Sequence, residues 1–208
     1  MLKKLSVRSK RRTSFQSKRI EKLYDTFSEE YENIWRDERP RLPFNKYIEF
    51  PAMLEQAGRI KGMKLLDAGC GSGEHLLKYM HSGALCSGVD ISGRMVEAAK
   101  RRTGPGILKC DINEGLPFGD SSFDIVTMSL VIDHFRDAER VLGEAGRVLK
   151  GGGRILISYS AGWLIGMARA PASSSFTSLI SGVLYFFIII SNSEVIKITV
   201  KYQFYHQL

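Results

Sequence analysis

A chain of 208 residues with 44% hydrophobic composition is long enough for one α/β domain with a full core and short for two. Its net charge of +8 is concentrated at one end: Lys3, Lys4, Arg8, Lys10, Arg11, Arg12, Lys18 and Arg19 precede the first acid, and from Ile20 onward the chain has 22 basic and 22 acidic residues. A neutral body argues against a broad nucleic-acid-binding face and leaves residues 1–19 as the place for weak, salt-dependent phosphate contacts.

The three cysteines, Cys70, Cys86 and Cys110, form no CxxC pair and suit free thiols in a reducing compartment. His75, His81, His134 and His206 are too scattered for a ligand motif, so no metal is predicted. Residues 1–19 lack the apolar core of a secretory signal and read as a basic disordered tail, which predicts a cytoplasmic protein. The same serine-rich, acid-free composition also suits an organellar transit peptide.

Between residues 19 and 35, Ile20, Leu23, Tyr24, Phe27, Tyr31 and Ile34 recur at three- and four-residue steps, which predicts an amphipathic helix or helix pair. Pro40 and Pro43 interrupt that pattern, and a second helix is expected over residues 45–56. Residues 20–60 thus read as helices capping a site, and residues 61–160 as the core.

Within the core, strands are expected at 64–68, 84–89, 106–110, 123–129 and 153–158, with helices at 75–81, 93–102 and 138–149. The βαβ alternation implies a mainly parallel sheet in a three-layer sandwich. Beyond Tyr159 the pattern fails. Residues 176–190 are strongly hydrophobic but too short for a membrane span, which needs about 20 apolar residues, so no span is expected. The β-branched content at 188–190 and 195–200 favours strands or a lid over the site.

One stretch narrows function most: Leu65-Leu66-Asp67-Ala68-Gly69-Cys70-Gly71-Ser72-Gly73. Three glycines in five residues do not suit a helix interior, where each costs about 1 kcal/mol relative to alanine, and the stretch reads as a strand feeding a tight turn that opens onto a helix N-terminus. A dinucleotide fingerprint beginning at Gly69 and Gly71 would call for glycine or alanine at position 74, and Glu74 breaks it. Asp67, ending the strand, repels a pyrophosphate and favours a cation.

Asp90 lies about twenty residues beyond the loop, at a strand end where an acid either accepts from both ribose hydroxyls or caps the next helix; Ser92 is the better cap. Asp111 fits either a turn or an acceptor for an exocyclic nucleobase amine, with Ile91 and Ile112 sandwiching the ring. Ser129 and Leu130, at the end of the fourth strand, stand where carbonyls meet the reactive end of a ligand. Asp133 and His134 follow, as weak candidates for a general base or as residues packed at a helix start.

Leu65 to Gly73 with Asp90, Cys110 to Phe118, Phe123 to Ser129 and Leu149 to Ile157 resemble the successive motifs of class I S-adenosylmethionine-dependent methyltransferases, over about residues 20–160. The resemblance implies a Rossmann-like sheet of order 3-2-1-4-5. It implies that Gly69, Gly71 and Gly73 approach the methionine part of the cofactor, Asp90 the ribose, and Asp111 with Ile91 and Ile112 the adenine, with Asp67, Cys70 and Met95 as further cofactor-binding residues. Ser129 and Leu130 complete the set, and Tyr24 and Tyr31 either close over the cofactor or pack on the first helix.

The resemblance further implies methyl transfer to a small-molecule acceptor, with S-adenosylhomocysteine as product. The competing readings are an RNA or protein methyltransferase using the basic tail, a cofactor-binding protein without turnover, and, more remotely, a nicotinamide-dependent oxidoreductase. Family members complete a seven-stranded sheet after the fifth strand. Residues 161–208 are short for this, so the sixth and seventh strands are expected to be missing, leaving the fifth as an exposed edge, or replaced by strands from residues 176–208.

Overall fold

The computed structural model describes residues 2–36, 45–160, 181–191 and 194–205. Helix α1 (Leu2–Arg36) is followed by a π-helical turn at Asn45–Glu49 that runs into α2 (Phe50–Ala57). The core then alternates: β1 (Lys64–Ala68), α3 (Glu74–His81), β2 (Leu85–Asp90), α4 (Gly93–Thr103), β3 (Ile107–Lys109), β4 (Phe123–Ser129), α5 (Ala138–Val148) and β5 (Leu149–Ser160). Two further strands, β6 (Ser181–Ser191) and β7 (Glu194–Tyr205), complete the chain order.

All seven strands form one sheet in the order β3-β2-β1-β4-β5-β6-β7. The pairings from β3 to β5 are parallel, and those of β5 with β6 and β6 with β7 are antiparallel. The five-stranded parallel order expected from the sequence is therefore present. Because β5 pairs with β6 from Ile155↔Ile190 to Ser160↔Tyr185, the reading of the fifth strand as an exposed edge is corrected in favour of replacement strands. That pairing satisfies the β5 backbone groups an edge would leave open. Of residues 161–208, expected as a lid or an incomplete C-terminal region, 181–191 and 194–205 are strands of the sheet, and residues 161–180 lie outside the described residues.

Alternate residues of the central strands feed two cores. Leu65, Ile125 and Leu156 pack with Met53, Leu76, Tyr79 and Val96 on one face, while Leu66, Val126, Ile155 and Ile157 pack with Val141, Ala145 and Val148 on the other. Leu65, Leu66, Ile125 and Val126 are wholly buried, and each such side chain contributes about 1.5–3 kcal/mol over exposure. The result is the three-layer arrangement that period-two alternation in a buried strand requires.

Helix α1 takes in residues 2–19, which the composition suggested would be a disordered tail. No glycine or proline occurs before Pro40, so the helical pattern that begins at Ile20 meets no breaker on its N-terminal side. Of the described helices, none is long and apolar enough to cross a membrane.

Candidate active site

The sheet order reverses between β1 and β4, and the loops leaving the carboxyl ends of β1, β2 and β4 meet there. A cavity of about 260 Å³ opens at this point and is closed over by α1. Tyr24, Tyr31, Asp67, Gly69, Cys70, Gly71, Asp90, Ile91, Met95, Asp111, Ile112, Ser129, Leu130 and His134 all line it. Gly73 and Asp133 do not. A Cβ on Gly73 would stand 3.0 Å from the Ala99 Cβ, so its place is the packing of α3 on α4, and Asp133 is exposed on the outer side of the turn at Ile132–His134.

The glycine loop is held by backbone geometry. Gly69 has φ +86°, and a Cβ there would lie 2.6 Å from Val131 Cγ2 in the segment after β4, so only glycine lets the two segments meet. The Gly69 and Cys70 amides donate to the Val89 carbonyl at 2.8 and 3.0 Å, and the Gly71 amide donates to Asp90 Oδ2 at 2.9 Å. A Cβ on Gly71 would meet only Tyr31 Cε1, at 3.8 Å, so this part of the loop faces open cavity beneath Tyr31.

Asp90 also accepts from the Ser92 amide at 2.9 Å, while Ser92 Oγ accepts from the Met95 amide at 3.1 Å. Ser92 is therefore the α4 cap and Asp90 the tie between β2 and the glycine loop, its carboxylate keeping acceptor capacity for a ligand. Burial raises the Asp90 pKa, and the Ser92 and Gly71 amides oppose that rise. Asp111 Oδ1 accepts from the Asn113 amide and side chain, both at 3.0 Å, so it caps the turn at Ile112–Glu114 and lines the cavity at once.

Asp67 is 1% exposed and accepts from Thr127 Oγ1 at 2.7 Å. Burial lifts its carboxyl from 3.8 to about 6, against the opposing pull of His75 and Thr127. His75 faces the cavity from α3 and pairs with the fully buried Glu49 at 3.2 Å. Burial alone would depress the imidazole, but Glu49 and then Asp67 hold its pKa above the ordinary value. Glu49 in turn accepts from Ser158 Oγ at 2.5 Å, and Ser158 receives the amide of Leu130, which sits at φ +52° just past β4. Sequence reasoning missed Glu49, His75 and Ser158.

At the opposite wall the Tyr24 hydroxyl lies 2.7 Å from His134 Nε2, with the rings edge to face at 5.5 Å between centroids. Burial pushes the Tyr24 phenol up to about 12 and depresses His134, so near neutral pH the phenol donates to a neutral imidazole.

Helix α1 is fastened over the cavity by its acids. Asp25 Oδ1 accepts from Ser92 Oγ at 2.5 Å and from the Arg94 amide at 3.2 Å, Glu21 meets Lys109 at 2.5 Å, and Glu32 faces Arg101 and Arg102 at 3.6 and 4.0 Å. Arg102 also pairs with Glu74 at 2.8 Å and donates to the Ser72 carbonyl, so the Glu74 charge is largely neutralised within the wall.

The chemistry of the lining is therefore selective. Four carboxylates, Asp67, Glu74, Asp90 and Asp111, line it, and among the described residues no lysine or arginine does. The hydroxyls of Ser17, Ser72 and Ser129, all in the lining, are buried without a hydrogen-bond partner. Such a site fits a cationic ligand rich in polar groups and opposes a polyphosphate. No cluster of three or more His, Cys, Asp or Glu among the described residues is arranged to hold a metal ion.

Comparison with known proteins agrees with this geometry. Residues 66–157 match the model of a methyltransferase domain family. The chain is 30% identical over 161 residues to 27-O-demethylrifamycin SV methyltransferase of Amycolatopsis mediterranei, covering 66% of this chain and 57% of that one. It is 32% identical over 139 residues to demethylmenaquinone methyltransferase of Thermotoga maritima, covering 65% and 59%. A crystal structure from Thermotoga maritima, described as an S-adenosylmethionine-dependent methyltransferase and possible histamine N-methyltransferase, superposes with a TM-score of 0.52 at 27% identity, covering 65% of this chain and 59% of that one. The chain spans about half the length of the curated relatives it matches.

Proposed function

We propose that this chain, whose residues 66–157 match a methyltransferase domain family, is a class I S-adenosylmethionine-dependent methyltransferase that transfers a methyl group from S-adenosylmethionine to a small organic acceptor. The observation that supports this most is the acid-lined, lysine- and arginine-free cavity around the glycine loop, with Asp90 tied to Gly71 at 2.9 Å and Asp67 buried beside them. When bound, S-adenosylmethionine supplies an electrophilic methyl group on a sulfonium.

The residues have separate tasks. Asp67 is a countercharge for the cofactor's ammonium, and the open lone pairs of Asp90 accept from ribose hydroxyls. Asp111 serves the adenine amine between Ile91 and Ile112, with Met95 packed beneath the ring. Tyr24 and Tyr31 hold α1 over the ligand and exclude water, which keeps reacting groups aligned. His134, neutral near pH 7, is the group able to take a proton from an oxygen acceptor, after that acceptor replaces the Tyr24 hydroxyl at Nε2. The relatives named for rifamycin and menaquinone precursors support an organic small-molecule acceptor over a macromolecule.

Calorimetric titration with S-adenosylhomocysteine tests the proposal. Micromolar binding is expected for the parent chain, and Asp90→Ala is expected to bind at least tenfold more weakly, about 1.4 kcal/mol. A melting curve on the variant separates lost affinity from lost fold. A folded parent chain that does not bind refutes the reading.

A further inference from the structure

The outer flank of α1 carries a second depression, a shallow groove of about 710 Å³ lined by Gln16, Ile20, Leu23 and Phe27 of α1 with Arg19, Lys22 and Arg136 around it. Its floor is apolar, with Leu23 and Phe27, one helical turn apart, 45% and 48% exposed. Its rim is cationic. Among the described residues, no acid lines it and none of Arg19, Lys22 and Arg136 is within ion-pairing distance of a carboxylate, whereas Arg101, Arg102 and Lys109 are all paired with acids of α1.

The groove adjoins the cavity described above. Ile20 lines both, Gln16 donates to the His134 carbonyl at 3.4 Å on the boundary between them, and Arg136 stands two residues beyond His134. A molecule lying along Leu23 and Phe27 would therefore reach the His134 wall of the cavity by passing Ile20. The opposite charge of the two hollows sorts their contents, since the acid-lined cavity suits a cation and the groove an anion.

We propose that the groove holds the methyl acceptor, and that the acceptor is an anionic amphiphile: an aliphatic body against Leu23 and Phe27, an acidic group among Arg19, Lys22 and Arg136, and the methylated end directed past Ile20 to His134. This rests on the methyl-transfer reading for the word acceptor. The groove's choice of ligand is testable without it.

The probe is monomeric dodecanoate, titrated calorimetrically into the full chain, with dodecyltrimethylammonium as the same aliphatic body bearing the opposite charge. Dodecanoate is expected to bind, the ammonium probe at least tenfold more weakly, and Leu23→Asp and Arg136→Ala each to weaken dodecanoate at least tenfold. S-adenosylhomocysteine affinity should be unchanged in both variants, because neither side chain lines the cofactor cavity. Equal binding of the two probes, or dodecanoate binding indifferent to both substitutions, overturns the proposal. So does binding to phosphatidylglycerol vesicles without binding of monomeric dodecanoate, which would make this face a membrane surface. Dodecanoate binding with no S-adenosylhomocysteine binding refutes the methyl-transfer reading alone and leaves the groove's selectivity standing.

Discussion

Replacing Asp67 by asparagine should make the unliganded protein more stable and a poorer binder, and the stability gain should grow with pH. The carboxyl is buried with its pKa raised from 3.8 to about 6, mainly by desolvation. Below 3.8 it is protonated in folded and unfolded chains alike. As pH rises through about 6 the unfolded chain ionises more readily than the folded one, so stability is lost. At 1.36 kcal/mol per pH unit the gap between the two values amounts to about 3 kcal/mol above pH 7.

The carboxamide of Asp67→Asn keeps an acceptor for Thr127 Oγ1 but carries no charge to desolvate. Its amide group needs a partner of its own, so the change with pH is more diagnostic than the absolute value. Linkage gives a cost in the parent of about 2 kcal/mol at pH 5 and about 3 kcal/mol at pH 8. The variant's advantage should therefore widen by about 1 kcal/mol across that range. Urea unfolding followed by circular dichroism at pH 5, 6, 7 and 8, at constant salt, reads this directly. Calorimetry in the same buffers should show S-adenosylhomocysteine bound at least tenfold more weakly by the variant, as expected if the charge is kept for a ligand ammonium at the expense of stability. A difference in stability that stays flat or shrinks from pH 5 to pH 8 refutes the reasoning.

Gly69→Ala should lower stability by about 1–3 kcal/mol, because the new methyl group would stand 2.6 Å from Val131 Cγ2 on a backbone at φ +86°; pairing it with Val131→Ala should restore part of the melting temperature, and an unchanged melt for the single variant would contradict the packing argument. Asp25→Ala removes the acceptor for Ser92 Oγ and the Arg94 amide while leaving Ser92 to cap α4, so amide exchange in residues 16–33 should speed up by about tenfold, about 1.4 kcal/mol, with β1 and β4 unchanged. Equal acceleration in β1 would instead mean that Asp25 stabilises the whole domain.

What could be read from the sequence follows a physical division. The parallel sheet was legible because each of its strands is a short apolar run followed by a turn residue, and the observed bounds of β1 and β4 are those expected. The glycine loop, Asp90 and Asp111 were legible for a related reason: they sit at strand ends, where topology alone brings backbone and carboxylate to one edge. The C-terminal strands were half legible. β-branched content signalled extended chain, but only the pairing of β6 with β5 decides that residues 181–191 extend the sheet instead of covering the site.

Side chains that act across long stretches of chain left no such trace. Glu49 reaches Ser158 over 109 positions and Asp25 reaches Ser92 over 67, and neither has a neighbouring residue that marks it. Both come from the helical segments before β1, whose polar positions look like ordinary solvated faces until the sheet is assembled beneath them. The half of the cavity proposed for the cofactor is built from strand ends and so from local signals; the half facing His134 and the groove is built by α1, where local signals say only "helix". On the proposed arrangement, acceptor choice falls to the part of the protein whose sequence is least constrained by the fold of the sheet. Relatives can then share the loop from Leu65 to Gly73 while differing in what they methylate.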